Sequence, residues 1–210
     1  MHSLNAAVHR LRDRREDDGV TLIELLVSMI VFGIVIAAAY TALFVVQTQT
    51  KDTLGRADAV QQAKIAVAQM DRQVRSGNVL YDPANEASLG FPMSMRIYTQ
   101  ANGEEKCVQW QITNSVLKMR SWSPQWQTDN VVSKWVTAAR DIANVSGVAG
   151  DVPFSLSGAA TAYSARVVNI NLWLKSTSSK GPRYQVTTSL AGRNTVYGYD
   201  TSTCNPIPPA

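Results

Sequence analysis

The chain has 210 residues, 45% of them hydrophobic, and a formal net charge of +4, enough for one domain plus an appendage but too modest a charge to point to nucleic acid. Both histidines, His2 and His9, lie ahead of Gly19, so the rest of the chain cannot form a Ser-His or Cys-His nucleophile pair or a histidine-ligated metal centre. With no GxSxG, GxGxxG, Walker-type glycine loop or CxxC pair either, the expectation is a protein that is not an enzyme and carries no cofactor and no metal.

Residues 1–19 carry four Arg and four acidic residues, and this polar segment stops at Gly19. From Val20 to Val46 only Thr21, Glu24, Ser28, Tyr40 and Thr41 bear a polar side-chain atom. Twenty-seven residues at about 1.5 Å rise give roughly 40 Å of helix, more than the ~30 Å hydrocarbon core of a bilayer. The run predicts one membrane span. A secretory signal peptide fits less well, because its apolar region is about 7–15 residues long and ends in a small-residue cleavage site. Here a cleavage point falls before the apolar run, so a processed chain keeps its membrane helix and begins with it.

The residues "GVTLIELLVSMIVFGIVIA" closely resemble the N-terminal signature of type IV pilins and type II secretion pseudopilins. The resemblance implies a leader at 1–19, cleavage between Gly19 and Val20 by a membrane-embedded prepilin peptidase, and N-methylation of Val20. It also implies that Glu24 occupies the position where the family carries its assembly glutamate. A carboxylate within the bilayer costs on the order of 2.5–3.5 kcal/mol. Cleavage creates an α-ammonium group at Val20, and pairing between Glu24 of one subunit and the amine of a neighbour would fix partner and register together. Without that motif, a glutamate snorkelling to the interface would be the simpler reading. The sequence departs from the family at Val20, where Phe or Met is more usual. It departs again at Thr41, where many major pilins have a helix-kinking proline, so the segment is expected to be straighter.

Beyond the membrane, residues 47–77 continue as an amphipathic helix that ends at Ser76-Gly77-Asn78. Val60, Ala63, Val67, Met70 and Val74 form an apolar stripe opposite Lys64, Asp71, Arg72 and Arg75. Residues 78–210 then read as an exported β-rich domain. "SMRIYT", "KCVQWQIT" and "VLKMRSW" are strand-like, the last two joined by a hairpin turn at Asn114-Ser115. "KWVTAARDIANVSGV" reads as a strand followed by an irregular link. "ARVVNINLWLKS" and "RYQVTTSLA" flank a second turn at Ser178–Pro182, and Asn205 to Ala210 reads as a tail. The fold class is therefore α+β, a long N-terminal helix against four to six antiparallel strands. The closing strands, "ARVVNINLWL" and "TTSLAGRN", resemble those of minor pilins and the J-type pseudopilin, more loosely than the N-terminus does. The glutamate at position 24 argues against the K-type tip pseudopilin.

Cys107 and Cys204 both fall on the exported side, where disulfides persist. A bridge would close a loop of about 98 residues, worth roughly 4–5 kcal/mol on the chain-entropy model, and would pin the tail to the sheet. Two unpaired thiols are the other reading, since sequence does not give the Cα separation. Trp110, Trp135 and Trp173 lie in strand-like runs and read as core. Trp122 and Trp126 flank "SPQ" in an expected loop and are the candidates for a surface contact, although burial is the simpler reading there too.

The resulting expectation is a minor pilin or pseudopilin, cut by prepilin peptidase and anchored once in the cytoplasmic membrane with its C-terminal domain exported. Its expected partners are sibling pilins, an inner-membrane assembly platform and membrane lipid, with a place in initiation or at the filament tip. Two other classes stay open. One is a DNA-uptake or adhesive tip pilin whose Lys and Arg residues contact phosphates, and the other an uncleaved single-pass protein with an extracellular domain.

Overall fold

The structure is a computed structural model that describes residues 20–157, 167–175, 183–193 and 199–209. The leader and Gly19, the turn expected at Ser178–Pro182 and Asn194 lie outside the described residues. The chain divides into two units, residues 1–49 and residues 50–210. Helix α1 is assigned without a break from Leu22 to Arg75.

In the first unit, every residue from Val20 to Gln49 is exposed. Two hydroxyls of this stretch are satisfied locally. Thr41 Oγ1 donates to the Ala37 carbonyl at 2.8 Å and Thr48 Oγ1 to the Val45 carbonyl at 2.8 Å. Hydroxyls bonded back to their own helix need no partner from lipid.

In the second unit, the helix buries Ala59, Ala63, Ala66, Met70 and Val74 against a sheet, while Val60 and Val67 flank the stripe half-buried. The buried line is therefore shifted by one residue from the expected one at two of its positions. Its centre is alanine, because small side chains let the helix backbone approach the sheet closely. Arg75 ends the helix with a salt bridge to Asp71 at 2.7 Å, and the chain turns at Gly77. A Cβ on Gly77 would sit 2.9 Å from Ile97 Cγ2 and 3.1 Å from the Val74 carbonyl, so only glycine fits between helix end and sheet.

Among the described residues eight antiparallel strands follow, more than the four to six expected. Five form one sheet in simple meander order: β1 (Gly77–Leu80), β2 (Ser94–Thr99), β3 (Lys106–Thr113), β4 (Val116–Trp122) and β5 (Val136–Ala139). A one-turn helix α2 (Pro83–Glu86), capped by Asp82 Oδ1 on the Ala84 amide, lies between β1 and β2, and a second, α3 (Trp126–Asp129), follows β4. The remaining three strands, β6 (Phe154–Leu156), β7 (Val167–Leu174) and β8 (Tyr184–Ala191), form a second sheet. The three strand runs read from sequence at 94–122 match β2, β3 and β4 residue for residue. Asn114 and Ser115 both take positive φ, 52° and 61°, the left-handed pair that a tight hairpin demands. Strands β1 and β6 escaped notice, being only four and three residues long.

One core joins helix and both sheets. Met95, Ile97, Val108, Trp110, Ile112 and Leu117 face the helix stripe, and Val168, Ile170, Leu172 and Leu174 join them from β7. Strand β7 alternates strictly between buried and half-exposed, the mark of a sheet wet on one face. The five-stranded sheet differs: all six residues of β2 are buried, so both of its faces are covered.

Candidate functional site

Two regions carry the candidate residues. The first is the start of α1. Thr21 is its cap: Oγ1 accepts the Glu24 amide at 3.3 Å and the carbonyl accepts the Leu25 amide at 3.1 Å. Threonine followed three residues on by glutamate is the spacing of a capping box, and an acid in the first turn also meets the positive end of the helix dipole. Glu24 thus has a local reason for its position that the apolar pattern alone does not reveal. Among the described residues, no basic group lies within 4.0 Å of its carboxylate.

Around Glu24 the surface is apolar on all sides. Leu22 is 85% exposed, and Ile23, Leu25, Leu26, Val27, Met29, Ile30 and Phe32 are all exposed too. A water-facing helix shows one apolar stripe, whereas one that is apolar all round belongs in lipid or in a bundle. Leu22–Arg75 is the one helix, among the described residues, long and apolar enough to cross a membrane.

The second region is the outer face of the five-stranded sheet. Here Cys107 of β3 and Cys204 are joined in a disulfide, with Cα atoms 5.7 Å apart. They sit in a small second core with Val79, Tyr81, Tyr98 and Trp122, against which Trp126 and Ile207 pack. Trp122 is fully buried as the last residue of β4 and is not a surface contact; its Nε1 finds no acceptor among the described residues. Trp126, in α3, is half-buried and its Nε1 donates to the Pro206 carbonyl at 2.8 Å. Of the tryptophans read as core, Trp110 is buried, with Nε1 donating to Gln73 Oε1 at 2.6 Å. Trp135 and Trp173 are only half-buried, a correction to that reading. Both rings lie beside cations instead: the Arg120 guanidinium is 4.5 Å from the Trp135 centroid and that of Arg183 is 4.8 Å from Trp173.

The outer face also holds a polar row that the sequence reading missed. Strand register sets Arg96, Gln109 and Arg120 directly opposite one another on β2, β3 and β4. Arg96 Nε donates to Glu86 Oε1 at 2.8 Å, and Arg120 Nε donates to Gln109 Oε1 at 2.9 Å. Burial pushes the Glu86 carboxyl above its ordinary range, against the pull of Arg96, and burial lowers the Arg120 guanidinium to about 10. The C-terminal tail closes over this row. Arg96 Nη1 donates to the Cys204 carbonyl at 3.1 Å and to Asn205 Oδ1 at 2.9 Å. Arg120 donates through Nη2 to the Pro208 carbonyl and through Nη1 to the Pro209 carbonyl, both at 2.7 Å. Residues read as a loose tail are thus a built part of the domain. Polar residues two apart on each strand here serve a face roofed by chain from far away in sequence.

Residues 14–40 match the family model described as the prokaryotic N-terminal methylation motif, the prepilin-type signal. No curated protein matches the chain, and no solved structure does. The chain therefore carries a prepilin-type processing signal followed by a single apolar helix, the arrangement of a membrane-anchored, pilin-like protein.

Proposed function

We propose that the chain is a minor pilin or pseudopilin of a type IV pilus or type II secretion-like filament. Prepilin peptidase cuts it between Gly19 and Val20, leaving residues 20–46 as the membrane and assembly helix. Val20 is then N-methylated and carries the cation that meets Glu24 of an adjoining subunit. Before assembly, the leader faces the cytoplasm and the domain from residue 47 onward is exported. The assembly platform and sibling pilins then build it into the filament, in an initiating or tip complex.

The observation that carries this reading is the joint occurrence of the methylation motif at 14–40 and an all-round apolar helix with one acid in its first turn. The looser likeness of the last two strands to minor pilins supports the finer assignment.

N-terminal sequencing and mass spectrometry of protein extracted from membranes test it. A first residue at Val20 bearing one added methyl group is expected. A first residue at Met1 would leave an uncleaved single-pass protein and overturn the filament assignment.

A further inference from the structure

Strand β6 is one edge of the three-stranded sheet, and its residues line a cavity. The register fixes which main-chain groups face away from the sheet. The Asn171 N–H donates to the Pro153 carbonyl and the Ser157 N–H to the Val167 carbonyl, both at 2.8 Å, so residues 153, 155 and 157 bond toward β7. Phe154 and Leu156 take the non-hydrogen-bonded positions between them and turn their N–H and C=O groups outward. Among the described residues nothing bonds those four groups. Phe154 is only 2% exposed, so water serves its pair poorly. Buried main-chain groups are nearly always paired, and an orphaned set beside open space calls for an occupant. The opposite edge of the sheet shows the contrast. Odd-numbered residues of β7 bond β6 and even-numbered ones bond β8, which leaves Gln185, Thr187, Ser189 and Ala191 of β8 facing outward. All four are exposed, and water satisfies them.

The cavity beside β6 measures about 370 Å³, within the roughly 300–1,000 Å³ of ligand pockets. Pro83, Ala84, Ala87, Met93, Val145 and Val152 make its wall largely apolar, and the two valines are more than half exposed at its rim. Asp82 is the one charged residue among the described lining residues. Its Oδ1 accepts the Ala84 amide, and among the described residues no cation lies within 4.0 Å of the carboxylate. An apolar molecule alone would leave the β6 groups orphaned, and a wholly polar one would leave the valines wet. A second extended chain meets both demands. It presents N–H and C=O groups on one side at every other residue, roughly 6.5–7 Å apart, in step with Phe154 and Leu156, and it sends alternate side chains to one face.

We propose that the β6 edge and its cavity form a strand-addition site for an extended peptide segment of a second protein, with small apolar side chains at alternate positions and a Lys or Arg at one end. The segment's main chain pairs with Phe154 and Leu156, its apolar side chains pack on Met93 and Val152, and its cation meets Asp82. The site uses no residue of α1, so it stands or falls independently of cleavage at Gly19.

The test titrates the full chain in detergent, disulfide intact, with the capped peptide acetyl-Lys-Val-Thr-Val-Thr-Val-amide up to millimolar concentration. The amide NMR signals of Phe154 and Leu156 are followed, and both are expected to shift saturably. Two analogues, N-methylated on the Val or on the Thr nitrogens, decide the binding mode. In strand pairing only one of these sets faces β6, so one analogue should bind about tenfold or more weakly and the other like the parent peptide. Leu156→Pro removes one outward N–H, leaves the β6–β7 ladder intact and should weaken binding about tenfold or more. Should that variant unfold, Ala87→Trp, which fills the cavity from an exposed position, should weaken binding to the same degree. Absence of saturable binding by the parent chain, still melting cooperatively, would leave water as the occupant and overturn the proposal. Equal affinity for the two analogues would reveal an apolar pocket indifferent to main chain and overturn it as well, as would undiminished binding to Ala87→Trp.

Discussion

Glu24 is subject to two opposing terms whose sizes decide its meaning. Its place three residues after the Thr21 cap and in the first turn favours the helix by about 0.3–1 kcal/mol. Carrying the same carboxylate into a bilayer costs on the order of 2.5–3.5 kcal/mol. Capping alone does not offset insertion, so the residue is economical only if a cation meets it, and the proposed processing at Val20 makes one. Glu86 presents the same problem in the sheet domain, solved within the chain: it is 0% exposed and held by Arg96 and Ser94. Burial raises its folded-state pKa above the ordinary 4.5. The stability it contributes is therefore fully present below the unfolded pKa and is lost as pH rises through the folded value. Relative to Glu86→Gln, the parent chain should be more favoured at about pH 4 than at about pH 7. Urea melts at the two pH values check this, and a difference of the opposite sign would show that the Arg96 pair outweighs burial. Changing Arg96 to Met, which strands the carboxylate, should cost about 3–5 kcal/mol at neutral pH.

At the scale of elements, the alanine centre of the α1 stripe sets how closely helix and sheet approach. Ala63 is 0% and Ala66 1% exposed, so Ala63→Leu should destabilise the domain by about 1–3 kcal/mol through overpacking, measured by chemical melts. The β3–β4 hairpin carries strain at Ser115, which holds φ at 61° without being glycine. Ser115→Gly should relieve about 1 kcal/mol of that strain, less whatever the exposed Lys175 contact to its hydroxyl is worth, and should raise the melting temperature. These elements also show what the sequence does and does not reveal. Apolar periodicity and Asn114-Ser115 gave β2, β3 and β4 their true bounds, because each strand is long, flanked by turn residues and paired with its chain neighbour. The short strands β1 and β6 have too few residues for alternation to register. Trp135 and Trp173 were misplaced because a strand-like run does not say which face a residue takes, and their faces meet arginines. The Arg96, Gln109 and Arg120 row was invisible for a related reason: its roof comes from residues about ninety or more positions away.

At the scale of the whole molecule, the chain combines a helix apolar on all sides over its first half with a disulfide-bonded domain of two sheets. The Cys107–Cys204 bridge, closing about 98 residues, is the domain's long-range constraint, and Cys107→Ser with Cys204→Ser should cost roughly 4–5 kcal/mol. A domain that loses far less would mean that the two arginines alone hold the tail. In the proposed assembly, insertion, processing and packing supply the function, and they converge on one acid. The direct measurement is incorporation of Glu24→Ala into filaments sheared from cells that supply the assembly machinery, with the disulfide-bonded domain monitored in the membrane fraction. The account predicts a folded, processed subunit in the membrane that is missing from the filaments. Recovery of the variant in filaments at the parent level would contradict it.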